Sequence, residues 1–134
     1  MGQKRRILII DDNKEIVLGL KAFFERKYEI LTAHDGFEGL QAFEKNENNI
    51  DLVITDLVMP ELSGVGMISI LKKKYPGIPI IAITGWRRNI EATGNRLYAD
   101  QIFEKPFDIS DLDKSVSNLL TNIEPTSYPG KSGH

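Results

Sequence analysis

Asp51-Leu-Val-Ile-Thr-Asp56-Leu-Val-Met-Pro60 is the stretch that decides the fold of this 134-residue chain. Leu52, Val53 and Ile54 form an apolar run without polar alternation, which is typical of a central strand covered on both faces. Because Pro60 cannot continue a strand ladder, the strand is predicted to end near Asp56. The stretch therefore predicts a buried strand that delivers one carboxylate, Asp56, to the edge of a sheet.

Apolar runs with the character of strands alternate with helical patterns along the whole chain. The runs span residues 7–10, 28–33, 52–55, 78–83 and 101–104. Such βα alternation predicts the α/β class, with a five-stranded parallel sheet and helices on both of its faces.

Apolar residues at helical spacing follow each of these runs. The predicted core-facing sets are Ile16, Leu20, Phe23 and Phe24; Leu40 and Phe43; Met67, Ile68 and Leu71; and Ile109, Leu112, Val116, Leu119 and Leu120. Asp12-Asn13 are the expected N-terminal caps of the first helix. The segment before the fifth strand is the weakest helix, because Thr93 and Gly94 both lower helix stability.

Length and composition limit the class of protein. At 134 residues and 41% hydrophobic content, the chain predicts one domain over residues 4–121, while the Pro-, Ser- and Gly-rich residues 122–134 predict a disordered tail or linker. A net charge of -2 gives no bulk attraction to nucleic acid or to an anionic membrane. With no cysteine, no secretory leader and no membrane-spanning run, the expected compartment is the cytoplasm.

Polar residues stand at the ends of four of the predicted strands. The first ends in Asp11-Asp12, the third in Asp56 and the fourth in Thr84, and the fifth is followed by Lys105. Because the carboxyl ends of parallel strands share one edge, we expect these side chains to converge there. The alternative for Asp11 and Asp12 is a simple helix-capping role, but capping does not explain the other three residues.

A cluster of three carboxylates requires a proton or a cation, since the charges otherwise repel one another. Oxygen ligands without His or Cys favour a hard ion, which predicts Mg²⁺. With the pocket neutralised, Asp56 is a candidate nucleophile toward a phosphoryl group. Thr84 is then a candidate donor to the phosphoryl oxygens, and the Lys105 ammonium would take up their charge.

Together these motifs resemble a response-regulator receiver domain. The shared residues are Ile7 to Asp12, Asp56-Leu-Val-Met-Pro60 with Gly64, Thr84-Gly85 and Lys105-Pro106-Phe107, in register over nearly the whole chain. The resemblance implies a flavodoxin-like sheet of strand order 2-1-3-4-5. It also implies a phosphoacceptor role for Asp56, direct Mg²⁺ ligation by Asp12, Asp56 and the Val58 carbonyl, and a water-mediated role for Asp11. A cis peptide is implied between Lys105 and Pro106.

The resemblance also implies partners. A sensor histidine kinase or phosphotransfer protein would donate the phosphoryl group, and a downstream protein or a missing effector domain would read the result. Homodimer formation is a further expectation, whereas contact with nucleic acid or membrane is not expected. Such a domain catalyses its own phosphorylation and dephosphorylation without turning over a small-molecule substrate.

One departure from the family pattern concerns the fifth strand. Receivers usually carry Tyr or Phe three residues before the lysine, whereas this chain has Ile102. Phe103 is expected on the opposite face of the strand and so is not a substitute. We therefore expect phosphorylation to be retained and its readout to be unusual.

Three other functions would require a different set of residues or leave some of these residues without a role. Ile102 is compatible with a pseudo-receiver, which keeps the fold but does not switch. The acidic residues, Thr84 and Lys105 instead favour a receiver that is phosphorylated. A phosphatase with an aspartyl nucleophile would carry a second Asp where Val58 stands. A flavin-binding protein would need hydroxyl and glycine donors in place of Asp11-Asp12, which would repel a phosphate.

Overall fold

The structure is a computed structural model that describes residues 4–46, 49–57, 64–85 and 99–121. Its strands are β1 Arg6–Ile10, β2 Glu29–Ala33, β3 Leu52–Asp56, β4 Ile80–Thr84 and β5 Gln101–Glu104. Its helices are α1 Lys14–Phe24, α2 Gly36–Lys45, α3 Gly64–Lys74 and, numbered within the described residues, α4 Ile109–Thr121. The predicted positions of the five strands are confirmed to within two residues at each end.

The strands form one parallel sheet in the order β2-β1-β3-β4-β5. Residues of β3 pair with β1 on one side and β4 on the other, and every residue of β3 is buried. The α/β class, the parallel sheet and the strand order implied by the resemblance are thus confirmed. Asp56, the last residue of β3, therefore lies at the centre of the carboxyl edge.

Hydrophobic cores lie on both faces of the sheet. On one face, α2 and α3 pack over strand residues that include Leu8 and Val53, and Phe43 of α2 is part of this core. On the other face, α1 and the C-terminal helix α4 pack over strand residues that include Ile7 and Ile54, and Phe24 of α1 is part of this core. Ile102 contacts the first core and Phe103 the second, as the alternation of a strand requires. Phe103 is therefore confirmed on the face opposite to Ile102.

Helix α1 differs in detail from its predicted stripe. Its buried residues are Val17, Leu20 and Phe24, while Ile16 and Phe23 are only half-buried against the same core. The predicted burial of Leu20 and Phe24 is confirmed, and Val17, next to Ile16, takes the third buried position of the helix. The N-cap is Asn13, whose side chain accepts hydrogen bonds from the N–H groups of Glu15 and Ile16.

Several predictions fall outside the described residues. These are the carbonyl of Val58, the weak helix around Thr93 and Gly94, and the tail at 122–134. A search of the described helices finds none with the length and apolar character needed to cross a membrane.

Close packing between α2 and β1 predicts that Gly39→Ala lowers the free energy of unfolding. A Cβ at Gly39 would lie 2.6 Å from Cδ1 of the buried Ile10 and 3.1 Å from Sδ of Met67. Overpacking of this kind costs about 1–3 kcal/mol, which exceeds or cancels the helix propensity gained from alanine.

Gly19→Ala is the matched control, because a Cβ at this exposed position of α1 meets nothing within 4 Å. We expect it to raise the free energy of unfolding by up to about 1 kcal/mol. Urea denaturation of both variants measures the difference. Equal stabilisation by the two substitutions would contradict the packing described for Gly39.

Candidate functional site

The carboxyl edge of the sheet brings the predicted polar residues together. Asp11 and Asp12 follow β1, Asp56 ends the adjacent β3, and Thr84 ends β4 next to it. Lys105 follows β5 and reaches back across the edge to the carboxylates. Parallel strands connected by helices all end on the same side, which places four separate segments of the chain around one site.

Three carboxylates form the acidic part of this site. Single oxygen atoms of Asp11, Asp12 and Asp56 all lie within 4.8 Å of one another. Asp11 and Asp56 are buried, with exposed fractions of 2% and 6%, whereas Asp12 is exposed to solvent. The predicted acidic cluster is present, and capping of α1 falls to Asn13 rather than to either aspartate.

Each buried carboxylate has one oxygen held by the backbone. The N–H of Asn13 donates to Oδ1 of Asp11 at 2.9 Å, and the N–H of Leu57 donates to Oδ1 of Asp56 at 2.7 Å. The Nζ of Lys105 lies 3.4 Å from Oδ2 of Asp11 and 3.5 Å from Oδ2 of Asp56. Lys105 therefore bridges the two buried carboxylates through Oδ2 of each, while the backbone donors hold Oδ1.

The charge of the cluster is only partly balanced. Three carboxylates and one ammonium group leave a formal charge of -2 when all are ionised. Burial raises the pKa of Asp11, and the nearby Asp56 adds to the rise, while the N–H of Asn13 and the Lys105 ammonium lower it. A hard divalent cation fits this all-oxygen set in both charge and ligand chemistry.

Thr84 and Lys105 are joined through their backbones. Thr84 is fully buried at the end of β4, and the N–H of Lys105 donates to its carbonyl oxygen at 2.8 Å. The peptide between Lys105 and Pro106 is cis, as the resemblance implied. The loop that carries the ammonium group is thus attached directly to the strand that carries the hydroxyl.

Two residues contact the backbone of Asp56: Thr55, to which no motif pointed, and Gly64, which belongs to the pattern shared with receiver domains. The hydroxyl of the buried Thr55 donates to the Asp56 carbonyl oxygen at 2.8 Å. An ideal Cβ at Gly64 would lie 2.0 Å from that same oxygen, so α3 starts in direct contact with the strand end. In the sequence Thr55 looks like an ordinary β-former, and only its position before Asp56 singles it out.

Comparison with known proteins places this site in a family. The family model described as "Response regulator receiver domain" matches residues 7–117. The chain is 33% identical over 131 residues to a probable transcriptional regulator, ycf27, of Porphyridium aerugineum, covering 93% of this chain and 52% of that protein. It is 30% identical over 118 residues to the sensor kinase CckA of Brucella abortus, covering 85% of this chain and 12% of the kinase.

A solved structure of a response regulator is also similar to this chain. The response regulator TrrA of Thermotoga maritima, in complex with Mg²⁺-BeF, is 35% identical and superposes with a TM-score of 0.74 over 87% of this chain and 99% of TrrA. The chain spans about half the length, or less, of the curated relatives it matches. From the matched residues, the fold and the acidic pocket, the chain belongs to the response regulator receiver domains, which serve phosphorylation-dependent signalling in two-component systems.

Proposed function

We propose that Asp56 accepts a phosphoryl group from a phosphohistidine of a sensor kinase or phosphotransfer protein. The observation that carries this assignment is the bridge from Lys105 to Asp11 and Asp56 within the three-carboxylate cluster. It joins a buried nucleophile to a fixed cation at a strand end, where a donor can approach. Neither helix capping nor surface ion pairing explains why a buried carboxylate, a cation and a strand end occur together.

The two oxygens of Asp56 have different tasks in this proposal. Oδ1 is held by the Leu57 N–H, while Oδ2 faces Lys105 and attacks phosphorus. An O–P bond forms as the N–P bond of the phosphohistidine breaks, and the imidazole nitrogen keeps that electron pair. Lys105 moves from the carboxylate to the transferred phosphoryl oxygens, and the Thr84 hydroxyl donates to one of them.

Mg²⁺ is the cation we assign to the cluster, with Asp12, Asp56 and the Val58 carbonyl as direct ligands and Asp11 acting through water. The donor set of the described residues supports this, because it contains oxygen alone and keeps a formal charge of -2 after the Lys105 ammonium is counted. When bound, the ion would offset charge on the phosphoryl oxygens and lower the repulsion between the carboxylates and an anionic donor.

The wider assignment follows from the family and from composition. We propose that residues 4–121 are the receiver and residues 122–134 a tail or linker, acting in the cytoplasm. The sensor kinase and ycf27 relatives are longer proteins, which supports output either through an attached effector domain or through a separate protein partner. A homodimer formed on phosphorylation is a further state that this proposal includes.

Acetyl phosphate with Mg²⁺ tests the proposal without knowledge of the natural kinase. We expect intact-mass spectrometry to show the addition of a single phosphoryl group, and to show none when EDTA is present. Beryllofluoride with Mg²⁺ is expected to shift amide resonances around Asp56, Thr84 and Lys105. Absence of both the adduct and the shifts would leave a fold that binds partners without switching.

Removal of one buried charge gives a separate prediction for the cation. In the wild type, Mg²⁺ at about 100 times its dissociation constant should raise the free energy of unfolding by about 2.7 kcal/mol. Asp11→Asn should weaken Mg²⁺ binding by about 10- to 100-fold, since groups that orient or support metal ligands have effects of this size. Urea denaturation with and without Mg²⁺ measures both numbers.

The raised pKa of Asp11 fixes the direction of the pH dependence. Between the ordinary and the raised pKa, Asp11 binds more protons in the folded metal-free protein than in the unfolded chain, so its contribution to stability rises as pH falls through that window. Mg²⁺ affinity should also fall as pH falls through this window, because the ion competes with the proton.

The control for Asp11→Asn is Asp113→Asn, which removes an aspartate from an exposed ion pair with Lys27. A loss of Mg²⁺ stabilisation in that variant, or its retention in Asp11→Asn, would refute the assignment.

A further inference from the structure

The peptide bond between Asp56 and Leu57 determines how the Asp56 carboxylate is held. Its N–H belongs to Leu57 and donates to two acceptors: Oδ1 of Asp56 at 2.7 Å and the carbonyl oxygen of Ile83 in β4 at 3.2 Å. Because an amide is planar, any rotation of this peptide moves the N–H and the carbonyl oxygen together. The orientation of the peptide plane therefore sets where the held carboxylate oxygen lies, and with it where the oxygen that faces Lys105 lies.

Thr55 holds the other end of the same peptide plane. Its hydroxyl donates to the Asp56 carbonyl oxygen at 2.8 Å, and the residue is fully buried. Gly64 packs directly against the same peptide, since a Cβ there would lie 2.0 Å from this oxygen and 2.7 Å from Cα of Leu57. The Gly64 N–H also donates to the Leu57 carbonyl oxygen at 3.0 Å, which fixes the start of α3 against the strand end.

We propose that Thr55 is a positioning residue for phosphoryl transfer, acting through the Asp56–Leu57 peptide. The hydroxyl fixes the carbonyl oxygen, the planar amide transmits that orientation to the Leu57 N–H, and this N–H holds Oδ1 so that Oδ2 faces Lys105. The inference rests on the proposed role of Asp56 as phosphoacceptor. Thr55 touches neither the phosphoryl group nor the cation in this account.

Thr55→Val and Thr55→Ser separate a positioning role from a packing role. Valine keeps the shape and removes the hydroxyl, whereas serine keeps the hydroxyl and removes a methyl group. With acetyl phosphate and Mg²⁺ we expect phosphorylation of the valine variant to be slowed about tenfold, because small displacements of reacting groups have effects of at least this size. The serine variant should retain a rate within about twofold of wild type if the hydroxyl alone positions the peptide.

An NMR measurement tests the same contact without any phosphorylation. The Leu57 amide proton should move upfield in Thr55→Val, as its hydrogen bond to Oδ1 lengthens, and should stay in place in Thr55→Ser. Thr32→Val is the matched control, because it removes a half-buried hydroxyl from β2, the outermost strand on the far side of β1. Neither the phosphorylation rate nor the Leu57 resonance should change in that variant.

Several outcomes decide the matter. A wild-type rate and an unmoved Leu57 amide in Thr55→Val would overturn the inference, as would equal slowing by valine and serine. If the valine variant fails to fold, Thr55→Ala is compared with Thr55→Ser by the same two criteria. If the wild type itself takes no phosphoryl group, the proposed function fails, and the Leu57 amide still reports whether Thr55 orients the peptide.

Discussion

Asp56→Asn is expected to abolish acceptance of a phosphoryl group from acetyl phosphate in the presence of Mg²⁺. A carboxamide has nearly the same shape and can still accept the Leu57 N–H through its oxygen, so the fold around the strand end should survive. It offers no anionic oxygen for attack on phosphorus, and no other described carboxylate combines the same burial with the Lys105 contact except Asp11. Intact-mass spectrometry after a fixed incubation measures the loss.

The control for this substitution must remove an aspartate without touching the site. Asp113→Asn does so, because Asp113 lies on α4 in an exposed ion pair with Lys27. It should be labelled at the wild-type rate. Labelling of Asp56→Asn at a comparable rate would show that another residue, Asp11 first among them, is the acceptor.

Lys105→Met is expected to slow phosphorylation by about 100-fold or more. The substitution keeps most of the length of the side chain and removes the charge that lies 3.5 Å from Oδ2 of Asp56. Loss of one preorganised group that stabilises developing charge at a reacting oxygen costs about 100- to 1,000-fold in rate. Methionine also leaves the two buried carboxylates without their shared cation, which should raise the pKa of Asp11 further.

Lys74→Met is the matched control for the lysine. Lys74 is exposed at the end of α3 and pairs with Glu44 of α2, away from the carboxyl edge of the sheet. Its loss should leave the phosphorylation rate within about twofold, since exposed ion pairs contribute about 1 kcal/mol or less to stability. A Lys105→Met rate within twofold of wild type would remove the lysine from the mechanism proposed for Asp56.

Much of the fold could be predicted because this sheet leaves a strong trace in the sequence. A parallel sheet covered on both faces needs apolar runs, and β3 and β4 are accordingly buried at every residue. The polar end of β3 is equally clear, because a carboxylate such as that of Asp56 is rarely buried in such a run. The convergence of Asp56, Thr84 and Lys105 then follows from topology alone.

The rotation of a helix about its axis and the presence of a single hydrogen bond could not be predicted from the sequence. Ile16 and Val17 are adjacent and both apolar, so composition does not say which of them faces the core of α1. Asp11 and Asp12 are likewise identical in type, yet one is buried and the other exposed. The role of Thr55 depends on where its hydroxyl points, which no spacing rule supplies.

The fifth strand departs from the family pattern at Ile102, and the structure shows where this side chain packs. Ile102 pairs with Ala82 of β4 and packs on the core beneath α2 and α3, while Phe103 packs on the opposite core. An aromatic side chain is thus absent from the Ile102 side of β5. We expect the signal from Asp56 to reach the protein surface by a route that does not use an aromatic rotamer at this position.

Locating the phosphoryl group is the most direct test of the central claim. After labelling with acetyl phosphate and Mg²⁺, borohydride reduction converts an aspartyl phosphate to homoserine, which peptide mass spectrometry assigns to a residue. The account predicts homoserine at Asp56 in the wild type and nowhere in Asp56→Asn. Homoserine at Asp11 or Asp12, or label that resists borohydride and stays on another residue type, would contradict it.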